Sequence, residues 1–137
     1  MRVLVDTNVF LDFYLKREDY DSAKEFFIKC QKHKNQICVT PTILRDVEYI
    51  SARLIHDKNK ARQMRDSIYG ICYKVIGISA DSTIEALYSE IDDYEDALLA
   101  EAASEYLLDA IVTNNKKDFE KSSVPALSPA EINKYYD

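Results

Sequence analysis

The sequence has little glycine, proline or histidine, and it has no tryptophan. Its 137 residues include only two Gly, three Pro and two His. So few Gly and Pro exclude long flexible linkers, and a chain of this length normally forms one domain. We therefore expect a single domain over residues 1–137. The two histidines, His33 and His56, are isolated, so no His/Cys set suggests a zinc site.

Long hydrophobic runs are also absent. The first apolar run, Val3–Val5, is interrupted by Asp6. No stretch approaches the roughly 20 apolar residues that cross a bilayer, and nothing at the start resembles a secretory signal. The three cysteines are an odd number without metal-type spacing, which is typical of reduced core thiols. We expect a cytoplasmic protein with no membrane contact.

Positive charge is scarce as well. The chain has 18 Lys and Arg against 24 Asp and Glu, which gives a formal net charge of −6. Proteins that hold nucleic acid by bulk electrostatics are normally basic, so the charge argues against a simple DNA- or RNA-binding module. It does not argue against a nuclease, because carboxylates gathered to hold a divalent cation make a site acidic.

Short apolar runs alternate with segments of helical periodicity. Strands are predicted at 2–6, 37–39, 75–78, 110–113 and 124–127. Helices are predicted at 8–16, 20–33, 41–55, 57–72, 82–90, 93–108 and from 129 onward. This alternation predicts an α/β fold, a three-layer α/β/α sandwich around a parallel sheet of four to five strands. Ligands of such sheets bind outside the carboxyl ends of the strands.

Three local patterns predict where helices begin. Thr40-Pro41 combines an N-cap threonine with proline at the first helical position. Ser82–Glu85 and Ser128–Glu131 each have the spacing of a capping box, in which Ser and Glu satisfy each other's backbone groups. Pro125 suits a strand at the edge of the sheet.

The first candidate functional residues lie where the first strand ends. Asp6 closes that strand, and Thr7 and Asn8 follow at the turn into a helix. These three residues either contribute to a site or simply cap the helix, which is a common role for Asp, Thr and Asn. The tripeptide alone leaves both interpretations open.

A second acid is predicted on the helix that begins at Pro41. Asp46 shares a face with the apolar residues Ile43 and Ile50, whereas Glu48 points about 130° away from that face. An acid on a buried face is costly unless it is paired with a cation or binds metal. We therefore predict Asp46 as the second site acid, with an arginine salt bridge as the alternative and Glu48 as the reserve.

A third acid is predicted on the helix before the fourth strand. Asp96 leads an inward-facing stripe of small residues that continues with Ala100, and Asp93 lies one turn earlier. Acids at a helix N-terminus also favour the helix dipole. That alternative fits Asp92 and Asp93 better than Asp96, because it does not explain an acid on the inward face.

The turn at 113–115, Thr113-Asn114-Asn115, follows the fourth strand and could equally be an ordinary Asn-rich turn. This turn and the three predicted acids all fall at one edge of the predicted sheet. Clustered carboxylates repel each other, and a hard divalent cation relieves that repulsion. The residues therefore predict a site for Mg²⁺ or Mn²⁺, which prefer oxygen ligands.

Several blocks of the sequence resemble the PIN domain family. They are Val3–Phe10, Asp93–Leu98, Ile111–Phe119 and Val124–Glu131. Their order and spacing extend over nearly the whole chain and are more specific than any single block. The last two blocks resemble the branch that comprises toxin components of bacterial toxin–antitoxin systems.

The resemblance implies a Mg²⁺- or Mn²⁺-dependent endoribonuclease. It assigns catalytic and metal-binding roles to Asp6, Asp46 and Asp96. Its fourth position matches Asn115, where many relatives carry Asp, so the number of bound ions stays open between one and two. Asp118 is the reserve acid at that position. The resemblance also implies an antitoxin partner and a homodimer, and the ten tyrosines of the chain suit such an interface.

The remaining polar residues of these blocks are expected to support the chemistry. Thr7, Asn8, Asp93, Thr113 and Asn115 would orient metal ligands or the scissile phosphate. Arg45, Arg53, Lys116 and Lys117 are candidates for contact with RNA.

Two other functions remain possible from the sequence. A phosphatase with an aspartyl nucleophile would also place an acid after the first strand, but it usually needs a second acid two residues later, where this chain has Asn8. A non-catalytic PIN-like interaction domain would be compatible with Asn115 and with the acidic charge.

Overall fold

The apolar runs of the sequence form one parallel sheet. The computed structural model describes all 137 residues. Its strands are β1 (Arg2–Val5), β2 (Gln36–Val39), β3 (Lys74–Val75), β4 (Ala110–Val112) and β5 (Ala126–Leu127). The strand order is β3-β2-β1-β4-β5, and all neighbours are parallel. The chain winds outward from β1 to β3 and then returns to the other side of β1, so the winding reverses between β1 and β4.

Seven α-helices connect and cover the strands. They are α1 (Thr7–Tyr14), α2 (Tyr20–Lys32), α3 (Pro41–Ile55), α4 (Lys58–Ile71), α5 (Ala80–Leu87), α6 (Tyr94–Glu105) and α7 (Pro129–Lys134). A short 3₁₀ helix, Lys116–Phe119, lies between β4 and β5. The predicted α/β/α sandwich with a parallel sheet is confirmed. No helix combines the length and the apolar character needed to cross a membrane.

The hydrophobic core is continuous and centres on β1. Val3, Leu4 and Val5 are fully buried, as expected for a parallel strand with helices on both faces. They belong to a single cluster of 31 buried residues that includes Phe10 of α1 and Phe26 of α2. Burial of this apolar surface fixes the register of β1, and thereby the position of the residue that follows it.

Two of the three predicted helix starts are confirmed. Thr40 caps α3 by accepting a hydrogen bond from the Ile43 amide, and Pro41 is the first helical residue. Ser128 and Glu131 form both bonds of a capping box at the start of α7. Pro125 precedes β5, which is an edge strand as predicted.

The capping box predicted at Ser82 is wrong. Helix α5 begins at Ala80, and its N-cap is Ser79, whose hydroxyl accepts a hydrogen bond from the Ser82 amide. The Ser82 hydroxyl instead donates to Glu105 of α6, at 2.7 Å. Ser79, three residues earlier, caps the helix instead, and Ser82 is left to bind Glu105 where α5 packs against α6. Helix α6 is also shorter than predicted and ends at Glu105.

Candidate active site

An acidic cleft of about 230 Å³ opens where the winding of the sheet reverses. We use the name acidic cleft for the space lined by the carboxylates of Asp6, Asp46, Glu95, Asp96 and Asp118. A larger cavity of about 550 Å³, lined mainly by apolar side chains of α1, α2 and α4, contains no acid. The carboxyl ends of β1 and β4 border the acidic cleft, which is where a parallel sheet of this topology binds ligands.

Asp6 occupies the innermost position of the acidic cleft. It follows β1 directly, and only 8% of its surface is exposed. One carboxylate oxygen accepts a hydrogen bond from the Thr7 amide at 2.8 Å, and the other accepts from the Thr113 hydroxyl at 2.9 Å. Asp6 therefore caps α1 and faces the cleft at once, so the two interpretations of the sequence describe the same residue.

Burial raises the pKa of Asp6 above its usual range. The hydrogen bonds from Thr113 and Thr7 lower it, while the negative charges of Asp118 and Asp46 raise it further. No arginine or lysine contributes to this balance, so the acid is buried beside other acids without a cation.

Asp96 lies in the first turn of α6. Asp93 is the N-cap of this helix and fixes the position of that turn. A carboxylate oxygen of Asp93 accepts a hydrogen bond from the Asp96 amide at 2.9 Å. Burial raises the pKa of Asp96 to about 7. The charges of four neighbouring acids add to that effect: Asp93, Asp6, Asp118 and Glu95. At neutral pH this carboxyl lies close to its midpoint, because both burial and the neighbouring acids disfavour its charged form.

Helix α3 brings Asp46 into the acidic cleft and directs Glu48 away from it. The Asp46 side chain is 21% exposed, and Arg45 donates to its carboxylate at 3.2 Å. Glu48 instead forms an ion pair with Arg65 of α4. Glu48, the reserve acid, therefore lies outside the acidic cleft. Two residues along a helix turn a side chain through about 200°, which carries Glu48 from the cleft to the α4 side.

The turn after β4 completes the rim of the acidic cleft. Thr113 is fully buried, and its hydroxyl accepts a hydrogen bond from the Asn115 amide at 3.0 Å while donating to Asp6. Asn115 and Asp118 both line the cleft from its exposed side. Asp118, the reserve acid, thus lies among the predicted acids, although its neighbour Phe119 is buried in the core.

Sequence reasoning missed Glu95. This residue lines the acidic cleft, and a hydrogen bond with Asp46 is the largest of the effects that raise its pKa. The inward-face argument selected Asp96 and passed over its neighbour. Adjacent residues in the first turn of α6 both reach the cleft. The acidic run from Asp93 to Asp96 was the sequence feature that could have pointed to Glu95.

Sequence reasoning also missed a buried ion pair beside the cleft. Asp12 of α1, only 6% exposed, accepts from the Arg17 guanidinium at 2.9 Å and from the Asn114 side chain at 3.2 Å. Arg17 also donates to the side-chain oxygen of Asn8 at 3.0 Å. The network ties the turn after β1 to the turn after β4. The position of Asp12 within the apolar run around Phe10 was the sequence feature that could have predicted this ion pair.

The four predicted RNA-contacting cations differ in their surroundings. Lys116 forms an ion pair with Glu131 of α7 at 2.6 Å, which engages it away from the cleft. Lys117 lines a groove beside the cleft that also contains Asp93 and Asp118. Arg45 and Arg53 lie on the exposed face of α3.

The donor atoms of the acidic cleft suit a hard divalent cation. Carboxylate, hydroxyl and amide oxygens converge there, and Asp96 is part-buried beside other acids with no cation within ion-pair distance, which raises its pKa. No three His, Cys, Asp or Glu side chains are drawn together closely enough to hold a metal ion as they stand. The residues therefore fit Mg²⁺ or Mn²⁺ by chemical type, without forming a finished coordination sphere.

Comparison with known families identifies the family of this fold. The family model described as PIN domain matches residues 2–117. The chain belongs to the PIN domain family. The match begins at β1 and ends inside the 3₁₀ helix, so it includes all the acids of the cleft except Asp118. In this PIN domain, the acidic cleft lies at the reversal of the winding.

Solved structures share the fold over almost its full length. One is VapBC2 from Rickettsia felis bound to a DNA fragment from its promoter, with 19% identity and a TM-score of 0.68 over 93% of this chain and 98% of that one. A toxin-antitoxin complex from Klebsiella pneumoniae has 24% identity and a TM-score of 0.65, covering 94% and 98%. FitAcB from Neisseria gonorrhoeae has 15% identity and a TM-score of 0.70, covering 93% and 97%. Curated proteins give no match by sequence.

Proposed function

We propose that this PIN domain is a metal-dependent endoribonuclease and the toxin of a toxin–antitoxin pair. The observation that carries the proposal is the meeting of Asp6 and Asp96, which are 90 positions apart in the sequence, in one cleft. Each has a raised pKa, and no cationic side chain compensates either of them. Structural acids are normally paired when they are buried, whereas functional ones are kept unpaired for a ligand.

Each group in the cleft has a role in this proposal. Asp6 and Asp96 would hold Mg²⁺ or Mn²⁺, and Asp46 would hold it directly or through water. When bound, the ion supplies positive charge to the scissile phosphate and activates water for hydrolysis. Thr113 keeps the Asp6 carboxylate aimed into the cleft through its 2.9 Å hydrogen bond. Asn115 leaves the fourth family position uncharged, which favours a single ion.

Residues next to the metal-binding acids orient the side chains that line the cleft. Arg17 holds the Asn8 side chain at 3.0 Å, so that its amide group stays at the rim beside Thr7. Asp46 lies close enough to Glu95 to raise the pKa of the Glu95 carboxyl, which is also raised by burial, so these two acids repel each other before a ligand binds. Asp93 orients the first turn of α6 and thereby Asp96.

The test is cleavage of single-stranded RNA by purified protein in Mg²⁺ or Mn²⁺, with sequencing of the fragment ends. Cleavage should stop in EDTA and should leave 5′-phosphate and 3′-hydroxyl ends. Asp6→Asn should remove it. The matched control is Glu48→Gln, which neutralises an acid on α3 that lies outside the cleft. Full activity of Asp6→Asn, or equal loss in the control, contradicts the proposal.

The toxin role is supported by the structural neighbours, among them the toxin-antitoxin complex from Klebsiella pneumoniae. A small protein encoded next to this chain should bind it and block RNA cleavage. Co-expression followed by an RNA cleavage assay measures both effects. Cleavage that such a neighbour leaves unchanged argues against the toxin role while leaving the nuclease intact.

A homodimer is also part of the proposal. Helix α5 exposes Ile84 and Leu87, with 53% and 68% of their surfaces accessible, and Tyr88 follows at 84%. Such an apolar patch on a small chain is typical of a protein interface. Sedimentation of the wild type and of Leu87→Glu tests this, since the charge should dissociate the dimer.

The phosphatase and the non-catalytic domain are tested with the same protein. Asn8 stands where a phosphatase needs its second acid, and its side chain is bonded to Arg17, so no phosphomonoester hydrolysis is expected. Calorimetric titration with Mn²⁺ addresses the non-catalytic alternative. Absence of binding at millimolar Mn²⁺ would favour that alternative over the nuclease.

A further inference from the structure

Helix α3 carries a row of cations around an exposed aromatic ring, next to the acidic cleft. We use the name arginine–tyrosine stripe for Arg45, Tyr49 and Arg53, which are spaced four residues apart on one face. The guanidinium of Arg45 lies 5.9 Å from the centre of the Tyr49 ring, and that of Arg53 lies 5.7 Å from it. Arg53 also donates to the Tyr49 hydroxyl at 2.9 Å.

The stripe is held in place, and yet it is open to solvent. The Arg45 side chain is 71% exposed and Tyr49 is 52% exposed, so the ring is not covered by its neighbours. The two guanidiniums and the hydroxyl bond restrain the rotamer of this half-exposed side chain. An exposed aromatic ring that is already oriented loses little conformational entropy when a flat group stacks on it.

The stripe is continuous with the acidic cleft. Arg45 donates to Asp46 at 3.2 Å, and its charge lowers the pKa of Glu95, so it stands at the cleft rim. The other end, Arg53, is two helical turns away, which is about 12 Å along the axis. Arg65 of α4 forms ion pairs with two acids, whereas Arg53 has no acid within ion-pair distance. The chain has a net charge of −6, yet Arg53 has no acidic partner, and Arg45 is 71% exposed despite its contact with Asp46.

We propose that the arginine–tyrosine stripe binds the single-stranded RNA that flanks the cut site, with Tyr49 stacking on an unpaired base and the two arginines contacting phosphates. Proteins that track single strands combine a cationic path with aromatic side chains in this manner. A duplex would offer the same phosphates but no free base for Tyr49. This inference rests on the proposed function, and it extends that function by naming where the strand runs and which strand form is bound.

The test measures binding of a fluorescent 12-nucleotide single-stranded RNA by polarisation, in an Asp6→Asn background so that the RNA stays intact. Tyr49→Ser should weaken binding about tenfold, in line with the loss of one stacked base, and Tyr49→Phe should restore it. The matched control is Tyr69→Ser on α4, because Tyr69 is 56% exposed and has no arginine stacked on it.

Salt dependence separates the arginines from the tyrosine. Arg45→Gln and Arg53→Gln should each reduce the slope of log affinity against log salt by about 0.7, the value for one phosphate contact of a single strand. Tyr49→Ser should leave that slope unchanged. Arg62→Gln on α4 is the control for a lost surface charge. A duplex of the same sequence should bind with no dependence on Tyr49.

Two results would overturn the inference. One is that Tyr49→Ser binds single-stranded RNA as tightly as Tyr69→Ser does. The other is that Tyr49→Ser disrupts self-association or antitoxin binding with the RNA affinity unchanged, which would assign the stripe to a protein interface. In either case, RNA cleavage by the wild-type protein would leave the nuclease standing without the stripe. Tyr49-dependent binding by a wild-type protein that cuts no RNA would instead support the stripe and contradict the nuclease.

Discussion

Asp6 and Asp12 make an informative pair, since they lie six positions apart and are almost equally buried, at 8% and 6% exposure. Asp12 has a guanidinium at 2.9 Å, and the ion pair with Arg17 joins two turns of the fold. Asp6 has only a hydroxyl and an amide as partners, and the charges nearest to it are those of other acids. Burial alone therefore does not separate these two acids, whereas the presence of a cation beside Asp12 and its absence beside Asp6 do.

The largest expected difference between Asp6 and Asp12 is in RNA cleavage, which should depend on Asp6 and on its neighbour in the cleft, Asp96. Asp6→Asn and Asp96→Asn are expected to lower RNA cleavage at least a thousandfold, since each removes a ligand of the proposed ion, an effect of about 4 kcal/mol on the barrier. Both variants should fold. In Asp6→Asn the Thr113 hydroxyl can accept a hydrogen bond from the new amide in place of donating one, and the Asp96 carboxylate makes no hydrogen bond that its replacement would break. Cleavage rates and circular dichroism measure both. Unfolding of Asp6→Asn would make Asp6 a structural acid after all.

The free energy of unfolding should depend more on Asp12 than on Asp6. Asp12→Ala is expected to lower the free energy of unfolding by about 3 kcal/mol, because it leaves the partly buried Arg17 without its partner. Denaturation in urea measures this loss. The control is the double variant with Arg17→Ala, which should cost less than the two single changes added together. Additive losses would show that the pair contributes no coupling energy.

The pH dependence of stability should report the repulsion in the acidic cleft. The pKa of Asp96 is raised to about 7 in the folded protein, while an unfolded chain releases this proton near pH 3.9. Between those values the folded state holds a proton that the unfolded state has lost, so stability falls as pH rises from about 4 to 7.

The expected fall attributable to Asp96 in metal-free protein is about 2 kcal/mol, allowing for the opening of the cleft to water. Asp96→Asn should remove this part of the slope and raise stability at pH 7. Urea denaturation in EDTA at pH 4.5 and 7.5 provides the comparison. Parallel behaviour of wild type and variant would show that Asp96 titrates normally.

The smallest effect should come from Glu48, the acid that α3 directs toward α4. Glu48→Gln is expected to lower stability by less than about 1 kcal/mol, because its ion pair with Arg65 is half-exposed. RNA cleavage should be unchanged. A loss of cleavage comparable to that of Asp6→Asn would place Glu48 in the chemistry despite its position outside the cleft.

Structural features that depend on only a few neighbouring residues could be predicted from the sequence. The alternation of apolar runs and helical segments predicted the sheet, and Thr40-Pro41 and Ser128–Glu131 predicted two helix starts. The helix start at Ser82 failed because Ser79 offers the same cap, and only packing against α6 decides between them. Helical periodicity separated Asp46 from Glu48, since 100° per residue is a property of any helix.

Contacts between distant segments were less accessible. Glu95 and the Asp12–Arg17 pair were both missed, because the approach of α6 to α3 and of the β4 turn to α1 depends on how the helices pack. Nothing in the spacing of Tyr49 in the sequence shows that its ring stays exposed between two guanidiniums.

The sequence by itself determined which segments are strands and helices, because continuous apolar runs and apolar residues at a period of 3.6 are local patterns. It also determined which acids stand at strand ends. Only the tertiary structure decided which acids share one space and which have a cation of their own. That outcome depends on distances between residues far apart in the chain, and electrostatic energy is set by those distances and by burial, which no local pattern records.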